Sequence, residues 1–266
     1  MNDLRITLLQ SDLIWESPAA NREALDRLMG TLDGGQTDLI VLPEMFATGF
    51  SMDAERLAES PNGTTVEWLQ RQARERQCAI TGSLAITDRG DCFNRLIWAP
   101  PEGEAQHYDK HHLFRMGAEP AYYTAGTARQ LVEYRGVRFL LSVCYDLRFP
   151  VWLRQQPVPP NTFEYDVLLC VANWPAPRRH AWRTLLQARA IENLAYVVGV
   201  NRVGQDGNGL DYAGDSLLVD FKGVPLVDHA AGQAFVETAS ISPQSLAAFR
   251  DKFPAWQDAD RFSLGV

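Results

Sequence analysis

Along the chain, short runs that are apolar almost without interruption alternate with longer stretches in which apolar residues return every three or four positions. Leu4 to Leu9 is a run of the first kind and reads as a strand. After it, Ser17-Pro18 opens a stretch where Leu25, Leu28, Met29 and Leu32 recur at helical spacing, closed by Gly34-Gly35. Asp38 to Leu42 has the composition of a buried strand, and Pro43 ends it because proline has no N–H to give to a ladder. Thr64-Thr65-Val66-Glu67 has capping-box spacing and starts a second helix, with Val66, Leu69 and Ala73 on one face and arginines on the other. Cys78 to Ile86 and Phe93 to Trp98 flank the turn residues Asp88-Arg89-Gly90-Asp91, so a hairpin is expected. Gln106 to Tyr108, Arg138 to Val143, Tyr165 to Val171 and Tyr196 to Val200 read as further strands; a helix from Arg178 to Asn193 has Leu185, Leu186, Ala188 and Ile191 on its apolar side. The last quarter adds strands at Ser216 to Val219, Val224 to Asp228 and Ala234 to Glu237, then a short helix near Ser242 to Phe249.

This alternation predicts a layered α/β architecture. Four buried-type strands end in polar residues, at Glu44, Lys110, Cys144 and Asn173, and strand ends are where open sheets of this class collect their sites. Composition narrows the picture. The 266 residues, 46% of them hydrophobic, can bury a large core, and a single domain over 1–266 is expected because the only Pro-dense stretch, Gln156 to Asn161, is too short for a flexible linker and reads as a surface loop. A formal charge of −8 argues against a nucleic-acid face, which needs clustered Lys and Arg. The start lacks a leader pattern and no apolar run reaches spanning length, so a cytoplasmic protein with no membrane partner is expected. Cys78, Cys92, Cys144 and Cys170 have no CxxC spacing, and HxxH and HExxH are absent, so neither disulfides nor a metal is expected.

Candidate chemistry centres on Cys144, where the apolar run Phe139 to Val143 stops at a thiol followed by Tyr145-Asp146-Leu147-Arg148. A sharp turn there would hold the sulfur at the sheet rim and aim backbone N–H groups at whatever it attacks. A catalytic thiol needs a base, yet no histidine supplies a motif: His111 and His112 are adjacent and in an extended stretch would point apart, while His107, His180 and His229 stand alone. Asp206-Gly207-Asn208-Gly209 looks like a calcium loop but lacks the remaining ligands and reads as a tight turn.

Leu42-Pro43-Glu44-Met45-Phe46, Tyr108-Asp109-Lys110-His111-His112-Leu113-Phe114 and Ser142-Val143-Cys144-Tyr145-Asp146-Leu147-Arg148-Phe149-Pro150 resemble, in this order, the three signatures of the nitrilase superfamily of carbon–nitrogen hydrolases. Gly49-Phe50-Ser51, Val171-Ala172-Asn173-Trp174-Pro175 and Asn201-Arg202-Val203-Gly204 are similar to its Nit-like ω-amidase branch. The resemblance implies an α-β-β-α sandwich that pairs through its helices into a homodimer or higher homo-oligomer; Trp152, Trp182, Phe253 and Trp256 are candidate aromatics for an interface or equally for the core. It also implies a triad of Glu44 as general base, Lys110 as oxyanion cation and Cys144 as nucleophile, with Glu119 beside the lysine and the Tyr145 N–H as second oxyanion donor. Arg148 is expected near the site, pairing with Asp146 or Glu164 or recognising a carboxylate; Phe50 and Trp174 are candidate pocket walls. The implied activity, without cofactor, is hydrolysis of the terminal amide of small dicarboxylate monoamides through a thioester. A nitrilase or N-carbamoyl-amino-acid amidohydrolase is the enzymatic rival, and a non-catalytic interaction protein on the same scaffold is the rival of another class.

Overall fold

A computed structural model describes residues 2–32, 35–155 and 163–264 of the protein. Its strands in chain order are β1 (Leu4–Gln10), β2 (Leu39–Val41), β3 (Ala79–Asp88), β4 (Asp91–Ala99), β5 (Gln106–Asp109), β6 (Leu131–Tyr134), β7 (Val137–Val143), β8 (Val167–Val171), β9 (Tyr196–Val200), β10 (Val203–Gln205), β11 (Asp211–Ala213), β12 (Leu217–Val219), β13 (Pro225–Val227) and β14 (Phe235–Ile241). The helices are α1 (Pro18–Met29), α2 (Ala54–Leu57), α3 (Thr64–Arg76), α4 (Pro150–Leu153), α5 (Arg179–Asn193) and α6 (Pro243–Lys252).

Two six-stranded mixed sheets result, ordered β14-β1-β2-β3-β4-β5 and β13-β12-β9-β8-β7-β6, with β10 and β11 as a separate ribbon. In the first sheet β1, β2 and β3 run parallel; in the second, β7, β8 and β9 do, and antiparallel strands flank both trios. Such central strands are covered on both faces, which explains their unbroken apolar runs. Leu39 and Val41 of β2 join the core shared with the second sheet, whereas Ile40 and Leu42 pack with Leu25 and Met29 of α1 and Val66, Leu69 and Ala73 of α3. Trp98 of β4 meets Phe139 of β7 at 5.0 Å between ring centroids, so the sheets face each other directly. On the far side Trp182, Leu186 and Ala190 of α5 and Leu246 of α6 cover the second sheet. Helix, sheet, sheet, helix is the α-β-β-α sandwich that the motifs implied.

Local readings needed correction where side chains outside the window decide the outcome. α1 ends at Met29 and is capped by Gly30, not at Gly34-Gly35, and Leu32 lies beyond it. The Thr64 to Glu67 capping box does not form: Gly63 is the N-cap, and the Glu59 carboxylate, arriving from the preceding loop, accepts from the N–H and hydroxyl of Thr65. Trp152 and Trp182 are core residues, 4% and 0% exposed, while Phe253 is exposed. The Gln156 to Asn161 loop lies outside the described residues. Among the described residues no helix is long and apolar enough to cross a membrane.

Candidate active site

The four polar strand ends meet at one edge of the sandwich. After β2, Leu42 extends the ladder to β3 through its N–H to the Thr81 carbonyl at 2.8 Å, and Pro43 ends the pairing. Met45 takes φ +42° and donates its N–H to Ser83 Oγ at 2.9 Å, which turns Glu44 inward. Gly82 permits this turn: a Cβ there would stand 2.7 Å from the Phe46 ring and 2.9 Å from Leu42 Cβ. Lys110 follows β5, its N–H still bound to the Asn94 carbonyl of β4 at 3.0 Å. Cys144 follows β7 at φ +46°, a strained backbone for a non-glycine residue and of the kind that functional turns retain.

Glu44, Lys110 and Glu119 are all 0% exposed and form one cluster. Lys110 Nζ lies 2.9 Å from Glu44 Oε1 and 2.9 Å from Glu119 Oε2. Glu44 also accepts from Asn94 Nδ2 at 2.8 Å and from the Asn173 N–H at 2.6 Å. Glu119 accepts from Asn94 Nδ2 at 3.1 Å and from the Phe114 N–H at 2.6 Å. Burial opposes the lysine's charge, but Glu119 and then Glu44 and Cys144 outweigh it and hold its pKa well above the ordinary value. Burial likewise raises Glu119, against the pull of Lys110. The Cys144 thiol is pushed well above its usual range by burial first and by the Glu44 charge second, with Lys110 opposing. A thiol so placed is protonated at neutral pH and reacts only when a base removes its proton during attack.

Asp146 organises the nucleophile turn. Fully buried, it accepts from the Val143 N–H at 2.9 Å, the Tyr108 hydroxyl at 2.8 Å and the His112 N–H at 2.9 Å, with His112 Nδ1 at 2.8 Å. His111 and His112 do not lie in an extended stretch pointing apart; they sit in a bend, where His111 stacks on Trp152 and His112 on Phe149, at 3.8 and 3.7 Å between centroids. Asp146 is therefore engaged without Arg148, and Glu164 pairs with Arg129 at 3.0 Å. Arg148 instead lies over the Trp174 ring, 4.8 Å from its centroid.

In front of Cys144 opens a cavity of about 230 Å³. Phe50, Tyr145, Arg148 and Trp174 line it, and so do Arg178 and Met116, which sequence reasoning missed. Arg178 stands over Phe114 at 5.4 Å, and the Phe50 ring lies 5.1 Å from Lys110 Nζ. Asp206-Gly207-Asn208-Gly209 is a tight turn between β10 and β11, its Asp206 Oδ1 accepting from the N–H groups of Asn208 and Leu210. Among the described residues no group of three or more His, Cys, Asp or Glu is placed to hold a metal.

Two facing mixed sheets whose strand ends bring a strained cysteine, a lysine and buried carboxylates to one small cavity define a hydrolase of the α-β-β-α class. The chain belongs to the carbon–nitrogen hydrolase family, whose model matches residues 5–251. It is 47% identical to the omega-amidase YafV of Escherichia coli over 99% of this chain and 100% of that protein. It is 32% identical to a 2-oxoglutaramate amidase of Bacillus subtilis, covering 95% and 96%. A CN-hydrolase superfamily protein of Xanthomonas campestris, whose crystal structure carries an arsenic adduct in the active site, matches the fold with TM-score 0.97 at 49% identity over 100% of both chains.

Proposed function

We propose that this hydrolase is an ω-amidase that cleaves the terminal amide of a short dicarboxylate monoamide of the α-ketoglutaramate or α-ketosuccinamate type, with Glu44, Lys110 and Cys144 as its triad. The observation that carries the reading is one small cavity lined by Cys144 and by two guanidinium groups, Arg148 and Arg178. The thiol suits the amide end, and a guanidinium pair suits the carboxylate end. The identity to the omega-amidase and 2-oxoglutaramate amidase supports the same substrate class.

In this mechanism Glu44 takes the Cys144 proton as sulfur bonds to the amide carbon. Lys110 has three N–H donors, of which the two carboxylates occupy two, so the third is available to the oxyanion together with the Tyr145 N–H. Glu44 returns the proton to nitrogen, the C–N bond breaks and ammonia leaves a thioester. Water, deprotonated by Glu44, then attacks the thioester and releases the acid and the thiol. Glu119 keeps Lys110 in place. Ammonia release from α-ketoglutaramate by the pure protein, lost in Cys144→Ala, tests the reading. A panel in which a nitrile or an N-carbamoyl amino acid is turned over faster would replace it with the rival hydrolase. The proposed setting is the cytoplasm. The proposed assembly is a homodimer through the helix layer, where Ile191 and Phe253 are exposed; a monomer by light scattering would overturn that part.

A further inference from the structure

The buried charge cluster has a member that carries no charge. Asn94 lies in the middle of β4, where the residues in phase with it, Leu96 and Trp98, belong to the core between the sheets. It is 0% exposed, does not line the cavity, and gives both hydrogens of its amide to the two carboxylates, so none is left for a substrate. Its amide orientation is fixed by a chain of donors. The Met45 N–H donates to Ser83 Oγ at 2.9 Å, so the Ser83 hydroxyl is free to give its hydrogen to Asn94 Oδ1 at 2.8 Å. That leaves Nδ2 facing the carboxylates, with one hydrogen for Glu44 at 2.8 Å and one for Glu119 at 3.1 Å.

From this geometry, and resting on the triad reading above, we infer that Asn94 is a positioning residue that divides Lys110 between the two carboxylates and holds Glu44 aimed at Cys144, with Ser83 as its orienting partner. Two carboxylates on one lysine leave one negative charge without a cation, and a buried charge persists only where hydrogen bonds replace its water. An aspartate at this position would add a third negative charge. A lysine or arginine would draw Glu44 into a permanent ion pair and spoil it as a base. A neutral double donor supplies hydrogen bonds without either consequence.

The titratable groups facing Glu44 are Lys110 from the end of β5, Glu119 from the following 3-10 turn and Cys144 from the end of β7. Farther off are Cys170 on β8, which burial pushes up to about 12, and Tyr123 and Tyr212, which burial also raises. Those three are neutral across the working range, so the pH response of the thiol step reports the cluster itself.

The test is the pH dependence of Cys144 alkylation by iodoacetamide, followed by mass spectrometry, beside kcat and KM for α-ketoglutaramate, in the wild type, Asn94→Leu and Ser83→Ala. Removing donors from a carboxylate favours its protonated form, so the acidic limb of the alkylation rate is expected to move up by about one pH unit in Asn94→Leu. A smaller shift of the same sign is expected in Ser83→Ala. Turnover should fall roughly tenfold to a hundredfold with KM within about twofold of the wild type. A uniform loss of alkylation with an unmoved limb, or a loss confined to KM, would overturn the inference. Should Asn94→Leu fail to fold, an unshifted limb in Ser83→Ala overturns it equally. Alkylation needs no substrate, so a wrong substrate shows as absent turnover with the limb shift intact, whereas a wrong role for Asn94 shows as an unmoved limb.

Discussion

The two sheets contribute unequally to the site. From the first come the charges, Glu44, Lys110 and Glu119 around Asn94, all sealed from solvent and none of them lining the cavity. From the second come Cys144 and Tyr145 on the turn after β7, Arg148 beyond it and Trp174 at the end of β8, which line the cavity with Phe50, Phe114 and Met116 from loops of the first sheet. The sealed half stores an electrostatic arrangement in which each carboxylate already accepts from Lys110, from Asn94 and from a backbone N–H, so little reorganises when charge develops. Each half carries a left-handed non-glycine turn, Met45 beside Glu44 and Cys144 itself, but only Cys144 stands at the open cavity. Residues of the first half should therefore matter to stability and turnover together, and residues of the second to turnover or binding alone.

The largest expected effects set the halves against each other. Cys144→Ala should abolish ammonia release, by at least about 10⁴-fold, while its melting temperature stays within a few degrees of the wild type, since only one sulfur is lost at the cavity edge. Lys110→Met should abolish activity too, but it leaves two buried carboxylates without their cation and should lower stability by about 3–5 kcal/mol in urea titration. A folded-state pKa raised above the ordinary lysine value means that this contribution is complete below pH ~10 and fades only as pH climbs through the raised value. The stability gap between the two proteins should thus be flat from pH 6 to 9. A Lys110→Met protein as stable as the wild type would erase the distinction between the halves.

Asp146→Asn sharpens the comparison from the other side, because it tests a buried acid that belongs to the second sheet. Its oxygens accept from four groups, and an amide can keep only part of that set. The expected result is a loss of about 1–3 kcal/mol in stability and a fall in kcat of about tenfold to a hundredfold as the Cys144 turn relaxes, with KM nearly unchanged. An unchanged kcat would show that the turn holds its shape without the carboxylate.

Three strand ends were legible in the sequence because a buried parallel strand is apolar at every position, so its first polar residue marks the sheet edge; Glu44, Cys144 and Asn173 announced themselves this way, whereas Lys110 follows β5, a polar antiparallel edge strand and not the buried one expected, and was marked by its motif alone. Asn94 did not announce itself, although it interrupts the inward-facing phase of β4 between apolar neighbours, because a single polar residue in a strand reads as solvent-facing until the opposite sheet is known to cover it. Asp146 was seen only as a partner for Arg148, since sequence distance favours that pair. The donors it accepts from belong instead to Tyr108 and His112, some 34 to 38 residues away. The Thr64 capping box failed for the same reason, with Glu59 supplying from the loop what Glu67 would have supplied from the helix. Arg178 had no signal: a basic residue at a helix start is ordinary until the cavity beside it is known.

The smallest predicted effects separate the two arginines within the open half. Arg148 is stacked on Trp174, whose indole N–H is anchored on the Arg178 carbonyl at 2.9 Å, so its guanidinium is held before a ligand arrives. Arg178 rests on Phe114, a residue of the loop after β5, and both arginines keep partial contact with water. A guanidinium already fixed in place loses less entropy on binding a carboxylate than a mobile one. Arg148→Ala should raise KM for α-ketoglutaramate by about 10- to 50-fold, and Arg178→Ala by about 3- to 10-fold, with kcat changed little in either. On a neutral amide of the same length both losses should shrink to within about twofold, because no carboxylate remains to be recognised. Equal losses on the charged and the neutral amide would mean that the arginines shape the wall of the cavity and do not read the charge of what enters it.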